Sequence, residues 1–280
     1  GNESPEELWI LSRLADTVNQ MNVGWKTYDF TKATDAIYSF WLNQLCAVYL
    51  ESSKPVFNSD DEDLKKTNRN TLYNCYEIGL RLLHPFMPYV TEELWQHLPR
   101  RSGDPESIMI APYPNDLDSW RNETIEQEMN VVQDIVHHLR AMRASYSIPH
   151  KTQTDTLMNC KGEAAQAMAA KYSQTIRELG HAKSLDFTSE DVIKGCSVEI
   201  VNPEFSVFIK LQGVVDIDAE IRKLEGMLKG VKKAMVTLEE RIASPLYQNV
   251  PEEKQQADKK KLEDLKTKIE TGEKALAGLK

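Results

Sequence analysis

Apolar positions recur at helical spacing through most of the first 150 residues. Leu8, Leu11, Leu14, Ala15 and Val18 mark one face, and Ile37, Phe40, Trp41, Leu45, Val48 and Tyr49 mark another. Both follow the three-and-four step of an amphipathic helix. The spacing predicts two helices within residues 5–54, joined across residues 21–28, where Gly24 is a turn signal. Lys54-Pro55 is expected to close the second helix, because the residue before a proline avoids the α region. Asp60-Asp61-Glu62-Asp63 opens a third helix, its acids suited to the positive end of the helix dipole. Leu64, Leu72, Tyr76, Leu80 and Leu83 carry its apolar face to His84-Pro85. Pro88 fits the first position of a short fourth helix, with Leu94, Trp95 and Leu98 turned inward. After the proline-bearing stretch 99–114, a fifth helix over 122–147 sets Met129, Val132, Val136, Leu139 and Met142 on one stripe and stops at Ile148-Pro149.

The pattern then changes. Segments 154–160, 184–188, 196–202 and 205–211 read as strands, with Asn202-Pro203-Glu204 as a tight turn between the last two. Segment 163–179 is Ala-rich and helical and ends at Gly180. Together these predict a small α+β module with an antiparallel pair at its end. Further on, Ile217, Ile221, Leu224, Leu228, Val231, Met235, Leu238 and Ile242 step alternately by four and three, which is a heptad seam. Ser244-Pro245 and Pro251 bracket a break, and a second seam runs through Leu262, Leu265, Ile269, Gly272, Leu276 and Leu279. Two arms of similar length predict a projecting antiparallel hairpin, each arm about 40 Å long. The chain therefore reads as mainly α in three parts: a helical bundle over 1–150, an α+β module over 151–213 and an antiparallel coiled-coil arm over 214–280.

Charge narrows the function. The net charge of −9 argues against a generic nucleic-acid binder, but residues 219–280 hold 14 Lys and Arg against 11 Asp and Glu, while the rest of the chain holds 20 against 32. Any contact with nucleic acid must then be local and concentrated in the C-terminal segment. No apolar run reaches the ~18 residues that cross a membrane, so no membrane partner is expected. The acidic start Gly1-Asn2-Glu3-Ser4-Pro5-Glu6-Glu7 lacks the apolar stretch of a signal peptide. Cys46, Cys75, Cys160 and Cys196 have no metal-ligand spacing and read as buried, reduced thiols, which points to the cytoplasm.

Catalytic signatures are missing: no glycine-rich phosphate loop, no paired-histidine zinc motif and no nucleophile elbow. His137-His138 are adjacent and point to different helix faces, so they cannot share a metal. No catalytic residue, metal ligand or cofactor is expected in this chain. His137, Arg140 and Arg143 fall on one side of the fifth helix with Lys151 just beyond it, a spacing that suits successive phosphates or salt bridges to the acidic bundle. On the first arm, Arg222, Lys223, Lys229, Lys232, Lys233 and Arg241 outnumber Glu220, Glu225, Glu239 and Glu240, and Lys259-Lys260-Lys261 adds a cluster on the second arm. These are candidate phosphate contacts or solvated flanks of a coiled coil. Tyr38, Trp41 and Tyr49 could stack on bases, although core packing is the expected use of Trp41.

Several stretches resemble class I aminoacyl-tRNA synthetases of the valine, isoleucine and leucine group. They are Leu8-Trp9-Ile10-Leu11-Ser12-Arg13-Leu14, Leu45-Cys46-Ala47-Val48-Tyr49-Leu50-Glu51 with Lys54-Pro55, and His84-Pro85-Phe86-Met87-Pro88-Tyr89-Val90-Thr91-Glu92-Glu93-Leu94-Trp95-Gln96. The histidine, methionine and threonine of the last are similar to the valyl type, and the α+β module with the turn at 247–251 is similar to eukaryotic cytosolic members. The resemblance continues through Leu139-Arg140-Ala141-Met142-Arg143 and Leu211-Gln212-Gly213-Val214-Val215-Asp216 into the hairpin. It implies an anticodon-binding bundle, with Tyr49, Leu50, Glu51, Lys54, Arg140 and Arg143 as candidate anticodon contacts. It also implies an arm that lies on the outer corner of the L-shaped tRNA, with Arg222, Lys223, Lys229, Lys232, Lys233 and Arg241 on its backbone. The implied partner is the tRNA for valine, with other translation factors as partners of the parent protein. ATP and Mg would serve the parent's catalytic domain, which would lie upstream. So would a bundle helix that in relatives carries an arginine–aromatic pair. Ala47 stands where the family usually has an acidic residue. Other readings are an isoleucyl or leucyl sibling, or a coiled-coil protein-interaction module of a synthetase complex.

Overall fold

The computed structural model describes residues 2–190, 193–215 and 217–243, and beyond them Gln255, Asp258, Leu262, Leu265, Lys266, Ile269, Gly272, Glu273 and Leu276. The chain divides into two compact units, one of Gly1–Gln133 with Gln174–Leu179 and one of Asp134–Ser173 with Gly180–Lys280.

The first unit is helical and is built on α1 (Pro5–Thr27). Its start is a capping box: the Ser4 hydroxyl accepts the Glu7 N–H, and the Glu7 carboxylate accepts the Ser4 N–H at 2.7 Å. Trp9, Ile10, Leu14, Ala15, Val18 and Met21 are all buried. The helix runs through Gly24 and turns at Tyr28, whose φ of 59° is left-handed. Gly24 is therefore not the connection that the sequence suggests. It is a packing glycine, because a Cβ there would sit 2.9 Å from the Asp29 carbonyl oxygen and 3.0 Å from the Ala33 Cβ. Asp29 caps α2 (Phe30–Tyr38) by accepting the Lys32 N–H.

A π-helix at Ser39–Leu50 and α3 (Glu51–Asn58) continue directly from α2. Pro55 lies inside α3 rather than closing the helix before it. The π-wound stretch shifts the hydrogen-bond partners upstream, and the hydroxyls of Ser52 and Ser53 both donate to the Tyr49 carbonyl. The helix passes Pro55 and ends at Asn58, before the extended Ser59. Next comes α4 (Glu62–Leu83), capped by Asp61 through the N–H groups of Asp63 and Leu64. Then α5 (Pro88–His97) begins on Pro88. His84 and Thr91 join the two, Nδ1 to Oγ1 at 2.6 Å. Trp95 is buried with Leu80 and Ile108, and Trp41 and Leu98 pack on them, but Leu94 faces solvent, contrary to the sequence expectation. Trp25 stacks on Phe86 with centroids 5.2 Å apart and donates to the Tyr113 hydroxyl at 2.7 Å. A polar seam joins α1 to the chain entering α6 (Glu123–Ser145): Arg13 pairs with Glu126 at 2.9 Å, Arg121 pairs with Asp16, and Ser12 Oγ bonds Glu126.

The second unit holds the C-terminal half of α6 and a four-stranded sheet of β1 (Thr154–Cys160), β2 (Ala182–Thr188), β3 (Cys196–Ile200) and β4 (Phe205–Lys210), in the order β2-β1-β4-β3. β4 is antiparallel to β3 and to β1, with Phe208 opposite both Val198 and Leu157. The Asn202 side chain holds the turn before β4 by accepting the N–H groups of Glu204 and Phe205. β1 and β2 are parallel, with Leu157 opposite Asp186, a pairing that needs a helical crossover. The crossover is not the single helix of the sequence reading but two, α7 (Glu163–Lys171) and α8 (Ser173–Gly180), parted at the buried Tyr172.

Past the sheet, α9 (Ile217–Ala243) buries Leu228 and Leu238 and half-buries Ile221, Val231, Met235 and Ile242. The described positions from Gln255 to Leu276 are helical. Gly272 lies against Leu228, its absent Cβ 2.7 Å from a Leu228 methyl, and Lys232 pairs with Glu273 at 2.6 Å. The break at 244–254, Lys259-Lys260-Lys261, Leu279 and the side chains of Ile217, Lys223, Leu224 and Arg241 lie outside the described residues.

Two outcomes follow for stability. Gly24→Ala gains about 0.8–1.0 kcal/mol in helix propensity but overpacks a backbone oxygen at a cost of about 1–3 kcal/mol. The substitution is therefore expected to lower the urea midpoint, and a raised midpoint would refute the packing role. Burial raises the Glu7 carboxyl above its ordinary 4.5, partly offset by the Ser4 N–H. A carboxyl with a raised folded pKa leaves the folded state holding more protons, so its stabilising contribution is full below the unfolded pKa and fades as pH rises through the folded value. Glu7→Gln keeps the capping box and should be more favourable relative to wild type at pH 7 than at pH 4 in paired thermal melts.

Candidate nucleic-acid interface

The six bundle candidates separate by burial. Tyr49 is fully enclosed, with its hydroxyl close to Glu7, Cys75, Ser53 and Thr71, and burial pushes its phenol well above the ordinary range. It is a core residue and has no face for a base. The same side of the π-helix turns Phe40, Leu45 and Val48 inward. The opposite side exposes Leu42, Asn43, Cys46 and Ala47, and Lys54 is exposed one turn beyond the half-buried Leu50 and Glu51. Lys54 and Glu51 form an ion pair at 2.6 Å. Of the aromatic stripe, Trp41 packs edge-on against Tyr76 at 5.3 Å, and Tyr38 alone presents its ring to solvent.

On α6, Arg140 and His137 are exposed, but Arg143 is only 5% exposed and is committed to the fold. Its guanidinium donates to the Thr152 carbonyl at 2.5 Å, the Pro149 carbonyl at 3.1 Å, Thr154 Oγ1 at 3.1 Å and the His181 carbonyl at 3.3 Å. It pins the loop after α6 to the starts of β1 and β2. Helical spacing offers it to phosphates or to acidic groups of the bundle, because spacing alone cannot show which arginine the sheet will cover. His138 is likewise engaged, with Glu199 at 2.7 Å.

On α9, Arg222, Lys229, Lys232 and Lys233 are exposed beside the buried seam. Lys232 is shared with Glu273, whereas Lys229 and Lys233 pair with no carboxylate among the described residues. Two ammonium groups one turn apart can meet neighbouring phosphates. Among the described residues no group of three His, Cys, Asp or Glu could hold a metal ion, and no helix is long and apolar enough to cross a membrane. Of the thiols, Cys75 and Cys196 are buried, Cys160 is pushed up to about 11 by burial, and Cys46, against expectation, lies on the exposed side of the π-helix.

Residues 7–158 match the family model of the anticodon-binding domain of tRNA ligase. The chain is 38% identical over 285 residues to a valine–tRNA ligase of Takifugu rubripes, covering 98% of this chain and 23% of that protein. It is 37% identical over 282 residues to that of Homo sapiens, covering 99% and 22%. A mitochondrial valine–tRNA ligase of Mus musculus is 34% identical over 247 residues, covering 86% and 23%. The chain thus spans roughly a quarter of the length of the curated relatives it matches.

Removing the Arg143 side chain takes the guanidinium donor from the Thr152 carbonyl and Thr154 Oγ1, while the Pro149 and His181 carbonyls keep the N–H groups of Thr152 and Thr154. Each group left unpaired costs about 1–3 kcal/mol. Arg143→Ala is expected to destabilise the protein by about 3 kcal/mol on that basis, more than Arg140→Ala, whose side chain is exposed. Equal melting temperatures for the two variants would show that the guanidinium hydrogen bonds contribute nothing.

Proposed function

Since the chain belongs to the family of anticodon-binding domains of tRNA ligases, we propose that it is the tRNA-gripping part of a valine–tRNA ligase. The helical bundle takes the anticodon stem-loop, the α+β module follows it, and residues 214–280 form an antiparallel coiled-coil arm that lies along the outer corner of the tRNA. The observation that carries this reading is the similarity to valine–tRNA ligases along nearly the whole chain, arm included. Leu228 against Gly272, together with the Lys232–Glu273 pair, supports the hairpin. Aminoacylation, with its ATP and Mg, belongs to the rest of the parent protein, and a cytoplasmic setting fits the fuller match to the relatives not named mitochondrial.

Leu50, Glu51 and Lys54 beside the open side of the π-helix are the anticodon-reading candidates, and Arg140, on the half of α6 that belongs to the second unit, is a separate candidate contact. Lys229 and Lys233, flanked by Arg222 and Lys232, are the backbone contacts of the arm. A protein partner for the arm would call for a second apolar stripe. Met227 and Val236 are exposed on α9, but nine residues place them on opposite sides of the helix, so they form none.

Base contacts specify and phosphate contacts position, so the two groups of residues are separable in one assay. Filter binding of the valine tRNA and of an anticodon-swapped tRNA would be read at two salt concentrations. Neutralising Lys229, Lys232 and Lys233 together should weaken both tRNAs alike and lower the salt slope by about 0.7–0.9 for each phosphate no longer neutralised. Changes at Leu50, Glu51 or Lys54 should instead alter the preference between the two tRNAs. Loss of cognate binding alone in the lysine variant would sink this division of labour.

A further inference from the structure

The second unit carries a basic cleft of about 480 Å³ at one end of the sheet. Strands far apart in sequence build it. Lys210 closes β4, Lys183 sits where the β1–β2 register shifts, and Lys194 precedes β3. Gln153 and Gln212 add amide donors, and Asp155 is the sole carboxylate among the described lining residues. Asp155 already accepts a hydrogen bond from the Ser184 hydroxyl at 3.2 Å. Lys194 and Lys210 enter no ion pair among the described residues. Among the described lining residues the ammonium groups of Lys194 and Lys210 stand against one carboxylate, a positive lining in a chain whose net charge is −9. A concave wall of one sign concentrates its field on whatever anion enters. That field is felt inside the sheet: Cys196, the cross-strand partner of Lys210, has its thiol raised by burial and drawn back down by the lysine's charge.

The lining also says what kind of anion fits. Apart from the Cys196 thiol, the side-chain donors among the described lining residues are ammonium and amide groups, which suit phosphate oxygens. No aromatic side chain is among the described lining residues, so there is no platform on which a base could stack. A phosphate can be held here, but a sequence cannot be read.

We propose that this cleft binds a backbone phosphate of the tRNA, so that the α+β module adds a grip of its own to those of the bundle and the arm. The proposal rests on the reading of the chain as a tRNA binder. It adds a sequence-blind contact whose residues are scattered at positions 183, 194 and 210 and come together only in the folded sheet.

The test uses the full chain, with circular dichroism to verify folding. Lys194→Gln/Lys210→Gln should weaken the valine tRNA and the anticodon-swapped tRNA by the same factor and lower the log–log salt slope by about 0.7–0.9 for the one phosphate released. Asp155→Asn, which removes the competing carboxylate, should strengthen both. Inorganic phosphate titrated against wild type and the double variant separates the sources. If inorganic phosphate binds the cleft while tRNA affinity and slope stay unchanged in the double variant, the site serves free anions and the proposal is overturned. Unchanged tRNA binding by both cleft variants, alongside weakened binding by the Lys229, Lys232 and Lys233 variant, overturns this site alone. A wild-type chain that binds no tRNA overturns the underlying reading with it.

Discussion

The helical unit depends on the burial of one face of α1. Trp9, Ile10, Leu14, Ala15, Val18 and Met21 are each at most 2% exposed, and each such large side chain contributes about 1.5–3 kcal/mol when taken from water. That face meets α2, α4 and the π-helix, so their positions follow from it. The close approach at Gly24 sets where α2 can start, and α2 runs into the π-helix without a loop. The open side of the π-helix, where the anticodon-reading candidates begin, is thus held by a rigid helix rather than by a mobile connection. The same helix carries Arg13 and Asp16 into the polar seam with Arg121 and Glu126, so its solvent side anchors the chain entering α6.

Local signals in the sequence were legible where local chemistry decides. The strand reading located β1 at Thr154–Cys160, the acidic run 60–63 and Pro88 marked helix starts, and Asn202 with Pro203 and Glu204 marked a turn. Features set by distant packing were not legible. A π-wound stretch shows the same apolar recurrence as an α-helix, with Phe40, Leu45, Val48 and Tyr49 buried along it. The parallel β1–β2 pair and the break at Tyr172 depend on where the crossover packs. The candidate site divides in the same way. Residue type and spacing offer Arg143 and Tyr49 as contacts, but both are buried and spent on the fold. The cleft of Lys183, Lys194 and Lys210 has no linear signature, because three isolated lysines become neighbours only through strand order.

Electrostatics and shape divide the work. An acidic chain repels a polyanion over most of its surface, so the proposed tRNA contacts fall where positive charge is exposed or gathered. On α9 that charge flanks an apolar seam whose spacing fixes where the lysines stand. In the module it lines a cleft. In the proposed reading neither arrangement contacts bases, and selectivity falls to the bundle.

The Arg143 hydrogen bonds bear on how the protein can be cut into parts. A fragment starting at residue 151, where the helical pattern gives way to strands, would keep the Thr152 and His181 carbonyls and Thr154 but lose the guanidinium that they share. The module cannot be excised cleanly at the loop. An independently folding piece has to carry the C-terminal half of α6 with it, from about the point along that helix where the chain passes from one compact unit to the other, at Gln133 and Asp134.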